Sequence, residues 1–320
     1  MLGIKILQTA HYVPPKILTN DEISQWVDTS DEWISKRTGI RQRHISQGEN
    51  TSDLCTKVAN ELLEKSGISA KDLDLIIICT VTPDYLSPSV ASIVGGNIKA
   101  TCIAFDINAA CTGFVYGFNV AARMLQSGQY KRAMVIGAET LSKVLDWTDR
   151  NTCILFGDGA GGVIIESAPE GSSMYMEKLH TRGSMAISVR YIGVNNPFFK
   201  DEKQDNFVHV DGREVFEFAV KSVSENIREL LEEANLTIDD IAVLIPHQAN
   251  RRIIEGIAKK LKTDLSKFYI NIENYGNTSS GSIPIALNEL FRKGEIKPGD
   301  KIIMSGFGGG LTWGSILVEI

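Results

Sequence analysis

The chain carries Phe156-Gly-Asp-Gly-Ala-Gly-Gly-Val-Ile-Ile-Glu166 near its middle and Phe307-Gly-Gly-Gly-Leu-Thr-Trp-Gly-Ser-Ile-Leu-Val-Glu319 near its end. Each stretch is a Phe-Gly-x-Gly turn that leads into an apolar strand. The two copies lie roughly 150 residues apart, which indicates an internal duplication with a period far too long for a solenoid repeat. We therefore divide the chain into an N-terminal half, residues 1–170, and a C-terminal half, residues 171–320.

Both halves alternate strand patterns with helix patterns, as α/β proteins do. The run from Leu73 to Val81 is almost wholly apolar, which is typical of a strand buried on both faces. The alternation predicts helices over 51–66, 111–127, 216–233, 251–262 and 284–293, and further strands over 101–107, 132–137, 159–166, 241–245 and 301–305. The polar stretch 182–205 is either a linker between the halves or a loop that covers a site. Two facing halves form a cleft, where ligands commonly bind.

The composition permits an enzyme and argues against several other classes of protein. A formal net charge of −6 makes a nucleic-acid partner unexpected. No apolar run approaches the roughly 20 residues of a membrane span, and the first residues follow a strand pattern rather than that of a signal peptide. The five cysteines form no Cys-x-x-Cys pair. We therefore expect a reduced, cytoplasmic protein without structural disulfides, without a metal site and without a membrane partner.

Cys111, in Asn108-Ala-Ala-Cys-Thr-Gly113, is the candidate nucleophile. It lies where a strand passes into a helix. The positive end of the helix dipole and the free N–H groups there predict a lowered pKa for its thiol. The alternative is a buried apolar side chain, the common fate of a free cysteine. Packing is the interpretation of the other four, Cys55, Cys79, Cys102 and Cys153.

Three stretches of the C-terminal half carry the other candidate site residues. His247 follows the predicted strand 241–245, at a strand end where α/β sites gather, unless it only caps the next helix. Asn277 lies in Tyr275-Gly-Asn-Thr-Ser279, for which ordinary turn and N-cap chemistry is the alternative. The glycines of Gly308-Gly-Gly310 let backbone N–H groups face a ligand, as an oxyanion hole requires. A thiol, an imidazole and an amide together suit acyl transfer through a thioester.

Six motifs occur in order and nearly end to end along the chain: Asp31-Glu-Trp-Ile-Ser-Lys-Arg-Thr-Gly-Ile-Arg41, Ala110-Cys-Thr-Gly-Phe114, Phe156-Gly-Asp-Gly-Ala160, His247-Gln-Ala-Asn250, Gly276-Asn-Thr-Ser279 and Gly306-Phe-Gly-Gly-Gly-Leu-Thr-Trp-Gly314. Together they make the chain resemble β-ketoacyl-acyl carrier protein synthase III. This family is the initiating condensing enzyme of bacterial type II fatty-acid synthesis, in the thiolase superfamily. The resemblance implies an α/β thiolase fold, with two pseudo-duplicated halves in a five-layered α/β/α/β/α arrangement, and a homodimer.

The resemblance also implies a reaction and the residues that carry it. Cys111, His247 and Asn277 are the implied catalytic triad. A short acyl group, acetyl above all, passes from acyl-CoA to Cys111, and malonyl-acyl carrier protein then condenses with it as carbon dioxide leaves. The implied oxyanion hole consists of the backbone N–H groups of Cys111 and Gly309. Coenzyme A enters as a thioester substrate, so no cofactor is implied.

Two surfaces follow from the same resemblance. The implied coenzyme A contacts are Trp33, Arg37, Thr38, Arg150 and Asn250. From the residues alone, Trp33 packs an amphipathic helix and Arg37 is solvated. The implied carrier-protein contacts are Gln248, Arg252, Lys259 and Lys260, although a solvated basic face is the usual explanation of such charges. Ser87 falls where some members carry a phenylalanine at the acyl pocket, which favours longer or branched primers unless Tyr85 and Leu86 fill the space.

Five other functions compete with this interpretation. A hydroxymethylglutaryl-CoA synthase or a secondary-metabolite ketosynthase shares the triad, but the former uses a glutamate base, and none is evident beside Cys111. A thiolase needs a second cysteine near the C-terminal glycine motif, where Phe307-Gly-Gly-Gly-Leu311 has none. A non-catalytic acyl-binding protein does not need Cys111. A cysteine hydrolase fits poorly with a decarboxylating site that excludes water.

Overall fold

The computed structural model describes residues 2–191, 193–200 and 205–320. The α-helices in this part of the chain are α1 (Asn20–Ile23), α2 (Asp31–Thr38), α3 (Thr51–Ser66), α4 (Val90–Asn97), α5 (Gly113–Gln126), α6 (Gly212–Ala234), α7 (Arg251–Leu261), α8 (Ile272–Tyr275) and α9 (Ser282–Lys293). The strands are β1 (Leu2–Tyr12), β2 (Lys16–Thr19), β3 (Gln42–Ile45), β4 (Leu75–Cys79), β5 (Ile103–Ile107), β6 (Arg132–Glu139), β7 (Gly159–Glu170), β8 (Tyr175–Thr181), β9 (Ile187–Val189), β10 (Asn195–Asn196), β11 (Phe199–Lys200), β12 (Val208–Val210), β13 (Val243–Pro246), β14 (Lys301–Gly308) and β15 (Thr312–Glu319). These bounds confirm the predicted elements, with differences at their ends.

Helix α3 illustrates how local sequence signals fix the ends of an element. Asn50 and Asp53 form a capping box at its start, which satisfies two of the free N–H groups of the first turn. Gly67 ends it in the left-handed conformation, with φ of 67°. Leu54, Val58 and Leu62 lie on its buried face. The predicted helix 51–66 is therefore confirmed at both ends.

The two main sheets repeat one strand order, which confirms the predicted duplication. The N-terminal sheet has the order β1-β7-β6-β4-β5, and the C-terminal sheet has the order β8-β15-β14-β13. In the first, β6 is parallel to β4 and antiparallel to β7. In the second, β14 is parallel to β13 and antiparallel to β15. The two Phe-Gly-x-Gly motifs therefore lead into equivalent strands, β7 and β15.

Helices α5 and α9 lie between the two sheets and form the central layer. Their buried side chains share one apolar cluster with residues of both sheets, among them Phe114 and Leu287 from the helices and Ile77 and Ile302 from the strands. Helices α3 and α4 cover the outer face of the N-terminal sheet. Helices α6 and α7 cover the outer face of the C-terminal sheet. This arrangement is the predicted five-layered α/β/α/β/α fold.

The polar stretch 182–205 packs against the glycine turn of the C-terminal half. Strand β9 pairs with β12 and contacts the 3₁₀ turn Gly309–Leu311. This contact supports the prediction of a loop that covers a site over the prediction of a linker. It holds for the described residues of the stretch, which do not include Ile192 and residues 201–204. Strand β7 ends at Glu170 and β8 begins at Tyr175, while the boundary between the halves at residue 170 stays a prediction.

Two further sequence predictions have structural outcomes. Within the described ranges, no helix has both the length and the apolarity needed to cross a membrane. Cys55 and Cys79 are fully buried, as predicted for packing residues. Cys153 is also buried, in a turn that precedes β7.

Candidate active site

Cys111 lies in a short 3₁₀ turn, Ala110–Thr112, between β5 and α5. Ala110 adopts φ of 46°, a left-handed conformation that is unusual for a residue with a side chain. Ser279 and Leu311, at φ of 48° and 44°, share this conformation in two other turns of the site. Such backbone strain is concentrated at functional sites, where the surrounding structure holds it in place.

The glycine turn of the C-terminal half lies directly against Cys111. A Cβ atom at Gly308 would lie 2.8 Å from both the backbone N and the Cβ of Cys111, so this contact requires glycine. The backbone N–H groups of Gly309 and of Cys111 itself lower the pKa of the Cys111 thiol, so they lie close to it. Both N–H groups therefore lie beside the sulfur, where a thioester carbonyl would be attacked.

The predicted lowering of the Cys111 pKa is wrong. Burial raises the pKa of this thiol to about 12, although hydrogen bonds from Ser279 and from the two N–H groups act in the opposite direction. The prediction took account only of the partial positive charge at the N-terminus of α5. The Cys111 side chain is 7% exposed, so it loses most of its solvation. Cys111 is therefore a neutral thiol near neutral pH, and its attack on a thioester requires a group that accepts its proton.

His247 follows β13, and its imidazole is buried and neutral. Burial lowers its pKa to about 3. Its Nδ1 lies 2.7 Å from Ser282 Oγ, which already accepts a hydrogen bond from the backbone N–H of Gln248 at 3.3 Å. The Ser282 hydroxyl is thus free to donate to Nδ1, which puts the ring proton on Nε2. That Nε2 is buried and has no partner among the described residues.

Asn277 is 6% exposed and is held by the repeated motif of the other half. Its backbone N–H donates to the Leu155 carbonyl at 2.9 Å, and its carbonyl accepts from Gly157 at 3.0 Å. Its Oδ1 accepts from the backbone N–H of Ser279 at 2.8 Å. The bond fixes the amide plane and leaves Nδ2 as the group that can donate to a ligand.

The duplication brings the three candidate residues together. The Phe156-Gly157 turn of the N-terminal half holds Asn277 of the C-terminal half. The Phe307 ring packs edge-on against His247 at 5.0 Å, next to the glycines that contact Cys111. The segment 277–282 then joins the three, because it contains Asn277, contacts the Cys111 turn and provides Ser282 for His247. Each half completes the site of the other.

Three side chains that contact this site were not assigned a role from the sequence. Ser279 and Ser282 lie within or just after the stretch Tyr275–Ser279, for which an ordinary turn was the alternative interpretation. Glu139 is fully buried at the end of β6, and Ser279 Oγ donates to it at 3.2 Å. A glutamate that ends an apolar strand run was the available signal, but its position behind Cys111 depends on the tertiary fold.

Three of the implied coenzyme A contacts lie together on the surface. The Arg37 guanidinium lies 4.4 Å from the centre of the Trp33 ring, and that of Arg150 lies 5.3 Å from it. Cation–π attraction keeps both arginines at one indole. Asn250 caps α7, where its Oδ1 accepts from the Arg252 N–H at 2.9 Å. The Thr38 hydroxyl is committed within its own segment, to the Ile34 carbonyl and the Ile40 N–H, and the residue is 4% exposed.

Helix α7 presents a basic face, as its sequence pattern predicts. Ile253, Ile254 and Ile257 are buried, while Arg252 and Lys259 are exposed and Lys260 is half-buried near Glu225. The prediction of Gln248 as a carrier-protein contact is wrong. This residue is 1% exposed, its amide nitrogen donates to the carbonyls of Pro246 and Tyr269, and its Oε1 accepts from Asn271.

A metal-dependent site finds no support in the residues described. No group of three or more histidine, cysteine, aspartate or glutamate side chains among them is arranged to hold a metal ion.

Comparisons with known proteins agree with this geometry. The family model for 3-oxoacyl-[acyl-carrier-protein] synthase III matches residues 105–183, and the model for its C-terminal part matches residues 231–320. A β-ketoacyl-[acyl-carrier-protein] synthase III of Streptococcus agalactiae is 49% identical over 324 residues, covering 100% of both chains. One of Clostridium novyi is 51% identical over 325 residues, covering 100% of this chain and 99% of the relative. The crystal structure of the Aquifex aeolicus 3-oxoacyl-[acyl-carrier-protein] synthase III superposes with a TM-score of 0.93 at 42% identity, covering 99% of this chain and 100% of that one.

The fold and the site define a thiolase-fold acyltransferase of the condensing type. Within that class, the relatives that are 49% and 51% identical over their full length belong to one family. The chain belongs to the β-ketoacyl-acyl carrier protein synthase III family, the initiating condensing enzymes of fatty-acid synthesis.

Proposed function

We propose that the protein takes a short acyl group from acyl-CoA onto Cys111 and condenses it with malonyl-acyl carrier protein. The observation that carries this proposal is the close contact of the Gly308 turn with Cys111, which places the Gly309 N–H beside the thiol. A thioester carbonyl beside that sulfur receives two hydrogen bonds as its oxygen becomes negative. The sulfur attacks the carbonyl carbon as the thiol loses its proton, coenzyme A leaves as its thiolate and takes up a proton to become the free thiol, and the acyl group remains on Cys111.

The second half-reaction uses His247 and Asn277 as neutral donors. His247 Nε2 and Asn277 Nδ2 donate to the thioester oxygen of the malonyl group, which stabilises the enolate that forms as carbon dioxide leaves. A histidine with a pKa of about 3 is a hydrogen-bond donor here and not a proton acceptor. The enolate carbon attacks the acyl-Cys111 carbonyl, and the Cys111 sulfur leaves to give 3-oxoacyl-acyl carrier protein.

The overall reaction provides the test. The purified protein is incubated with acetyl-CoA and malonyl-acyl carrier protein, with a chelator present and no other addition. Mass spectrometry then follows the carrier protein. We expect 3-oxobutanoyl-acyl carrier protein and free coenzyme A, since the proposed chemistry needs no cofactor. Absence of the condensed product with acetyl-, isobutyryl- and octanoyl-CoA alike would contradict the proposed function.

Trp33→Ala is expected to weaken acyl-CoA binding without slowing the chemical steps. The indole contacts two guanidinium groups directly, and an adenine ring that stacks on the indole takes the place of one of them. We expect KM for acetyl-CoA to rise about tenfold, with kcat nearly unchanged. Trp26→Ala is the matched control, because this indole is also exposed but packs on Trp147 instead of the arginines. An equal rise in KM for both variants would contradict the assignment.

Arg252→Glu is expected to weaken use of the carrier-bound substrate alone. Arg252 is exposed on the basic face of α7, and a carrier protein of acidic surface would be attracted to it. We expect kcat/KM for malonyl-acyl carrier protein to fall about tenfold, while acylation by acetyl-CoA is unchanged. Lys71→Glu provides the same charge reversal on the N-terminal half, ahead of β4. Equal losses with both substrates would overturn this surface assignment.

We further infer a cytoplasmic homodimer. The loop Tyr85–Pro88 is exposed, and Tyr85 and Leu86 are 60% and 77% exposed, which suits a surface that a second copy covers. Ser87 in this loop lies where the resemblance implies the acyl pocket of the partner. Analytical ultracentrifugation tests the dimer, and a monomer at micromolar concentration would contradict it.

A further inference from the structure

Arg43 is a guanidinium that the protein encloses completely. It lies on β3 and is 0% exposed. Its hydrogen bonds go to three uncharged oxygens: Nη1 donates to the Leu18 carbonyl at 3.2 Å and to Asn20 Oδ1 at 2.8 Å, and Nη2 donates to the Ile154 carbonyl at 2.6 Å. Burial lowers the pKa of Arg43 to about 10, so it remains a cation at neutral pH. A buried cation is costly unless oxygens surround it, so Arg43 ties these three segments of backbone together.

Arg43 also packs against the backbone that holds Asn277. A Cβ atom at Gly157 would lie 2.9 Å from the Arg43 Cβ, and one at Gly276 would lie 3.2 Å from it. The two hydrogen bonds that fix the Asn277 backbone run between these glycines, to the Leu155 carbonyl at 2.9 Å and from the Gly157 N–H at 3.0 Å. The stem of Arg43 therefore contacts both segments of this pairing, and its Nη2 holds the residue that precedes Leu155.

The turn that carries the nucleophile is held by other groups. Thr112 Oγ1 donates to the Thr312 carbonyl at 3.1 Å and lies 2.9 Å from Thr312 Oγ1. Gly308 packs directly on Cys111. These contacts do not involve Arg43, so a change at Arg43 leaves them in place.

The start of helix α2, which carries Trp33, is likewise held without Arg43. Asn20 Nδ2 donates to Asp31 Oδ1 and to the Ile40 carbonyl, each at 2.8 Å. The Asn20 side chain keeps both bonds when its oxygen loses the guanidinium. Among the groups proposed to act on the substrates, Asn277 is therefore the one that depends on Arg43.

We propose that Arg43 is a positioning residue for the condensation step. It fixes the Phe156-Gly157 turn against Gly276 and so holds Asn277 Nδ2 where it donates to the malonyl thioester oxygen. Such a donor is effective only at about 2.7–3.1 Å from the oxygen that becomes negative. Because Arg43 is fully buried, it acts through the backbone of Asn277 and not by contact with substrate. The inference rests on the proposed role of Asn277.

Arg43→Met tests the proposal, because methionine keeps much of the apolar stem and removes the three hydrogen bonds. Acylation by saturating acetyl-CoA is measured by rapid quench and intact mass. Condensation is measured separately, by a chase of the preformed acetyl-enzyme with malonyl-acyl carrier protein. We expect condensation to slow by about 10²-fold, as a misplacement of about 1 Å from a remote mutation can cause. The acylation rate should stay near that of the wild type.

Two further variants separate positioning from a general loss of stability. Asn226→Ala is the matched control, since Asn226 is a buried polar residue whose Nδ2 donates to the Lys178 carbonyl at 3.2 Å and joins α6 to β8. It should lower Tm and leave both steps unchanged. Arg43→Lys keeps the charge but lacks the two separated nitrogens that bridge Leu18 and Ile154, so it should show a smaller loss confined to condensation.

The Arg43→Lys variant also carries the test if Arg43→Met does not fold. Condensation at the wild-type rate in either Arg43 variant would overturn the proposal. Equal losses of acylation and condensation would overturn it too, as would the same selective loss in Asn226→Ala.

Hydrogen exchange distinguishes failure of this inference from failure of the proposed function. If the wild-type protein forms no condensed product, the proposed function fails. Mass spectrometry of peptides that cover residues 155–157 and 276–278 then still measures how firmly the Gly157 and Asn277 N–H groups are held. Faster exchange there in an Arg43 variant than in Asn226→Ala would support the positioning of Asn277 by Arg43, and equal exchange would overturn it.

Discussion

Cys111→Ala is expected to abolish acylation of the enzyme and carbon–carbon bond formation. Wild-type protein incubated with acetyl-CoA should gain the mass of one acetyl group, and the variant should gain none. The reason is that the other elements of the site, the Gly309 N–H, His247 and Asn277, act on the carbonyl oxygens of the substrates, and none of them replaces the sulfur that bonds to the acyl carbon. The measurement is intact-protein mass, with condensed product on the carrier protein as the second readout.

Cys102→Ala is the control for this experiment. Cys102 is the half-buried member among the other cysteines, whereas Cys55, Cys79 and Cys153 are buried. The Cys102→Ala variant should therefore be acetylated like the wild type.

Because the donors around the malonyl thioester remain, Cys111→Ala should still release carbon dioxide slowly from malonyl-acyl carrier protein without forming a carbon–carbon bond. An acetyl adduct on Cys111→Ala would contradict the assignment of the nucleophile.

The sequence predicted those features that depend on local pattern. Periodicity and caps were sufficient for α3, and the repeated Phe-Gly-x-Gly turn was sufficient for the duplication, because equivalent strands need equivalent turns. His247 and Asn277 were found because strand ends and helix starts carry site residues in α/β folds. Their mutual arrangement was not contained in the local pattern. It follows from the contact of the Phe156-Gly157 turn with Asn277 and of Gly308 with Cys111.

Burial explains the predictions that failed. The Cys111 pKa was argued from a helix terminus alone, and desolvation, which depends on every layer around the residue, acts in the opposite direction. Gln248 was assigned to the carrier-protein surface from the resemblance, yet its amide bonds to backbone groups of three other residues in the interior. Glu139 was not assigned a role because a charged residue after an apolar strand run has no visible partner in the sequence. Its serine partners lie about 140 residues away along the chain.

Asn277→Asp is expected to separate the two half-reactions. An aspartate retains the oxygen that accepts from the Ser279 N–H, so the segment next to Cys111 keeps its position. It loses the Nδ2 donor that stabilises the enolate. We expect acylation of Cys111 to continue and condensation to fall by about 10²–10³-fold, the usual cost of one such donor. Mass of the acyl-enzyme and yield of 3-oxoacyl-acyl carrier protein measure the two steps separately.

Asn277→Ala removes both the Nδ2 donor and the Oδ1 acceptor of the side chain. Condensation should fall as far as in Asn277→Asp, since both variants lack Nδ2. Acylation should fall further in Asn277→Ala than in Asn277→Asp, because the Ser279 N–H then loses the bond that fixes this segment against the Cys111 turn. Loss of acylation in Asn277→Asp to the same extent as its condensation would mean that Nδ2 acts in the first half-reaction, and the proposed division of roles would be wrong. Wild-type condensation in either variant would show that Asn277 is not part of the active site.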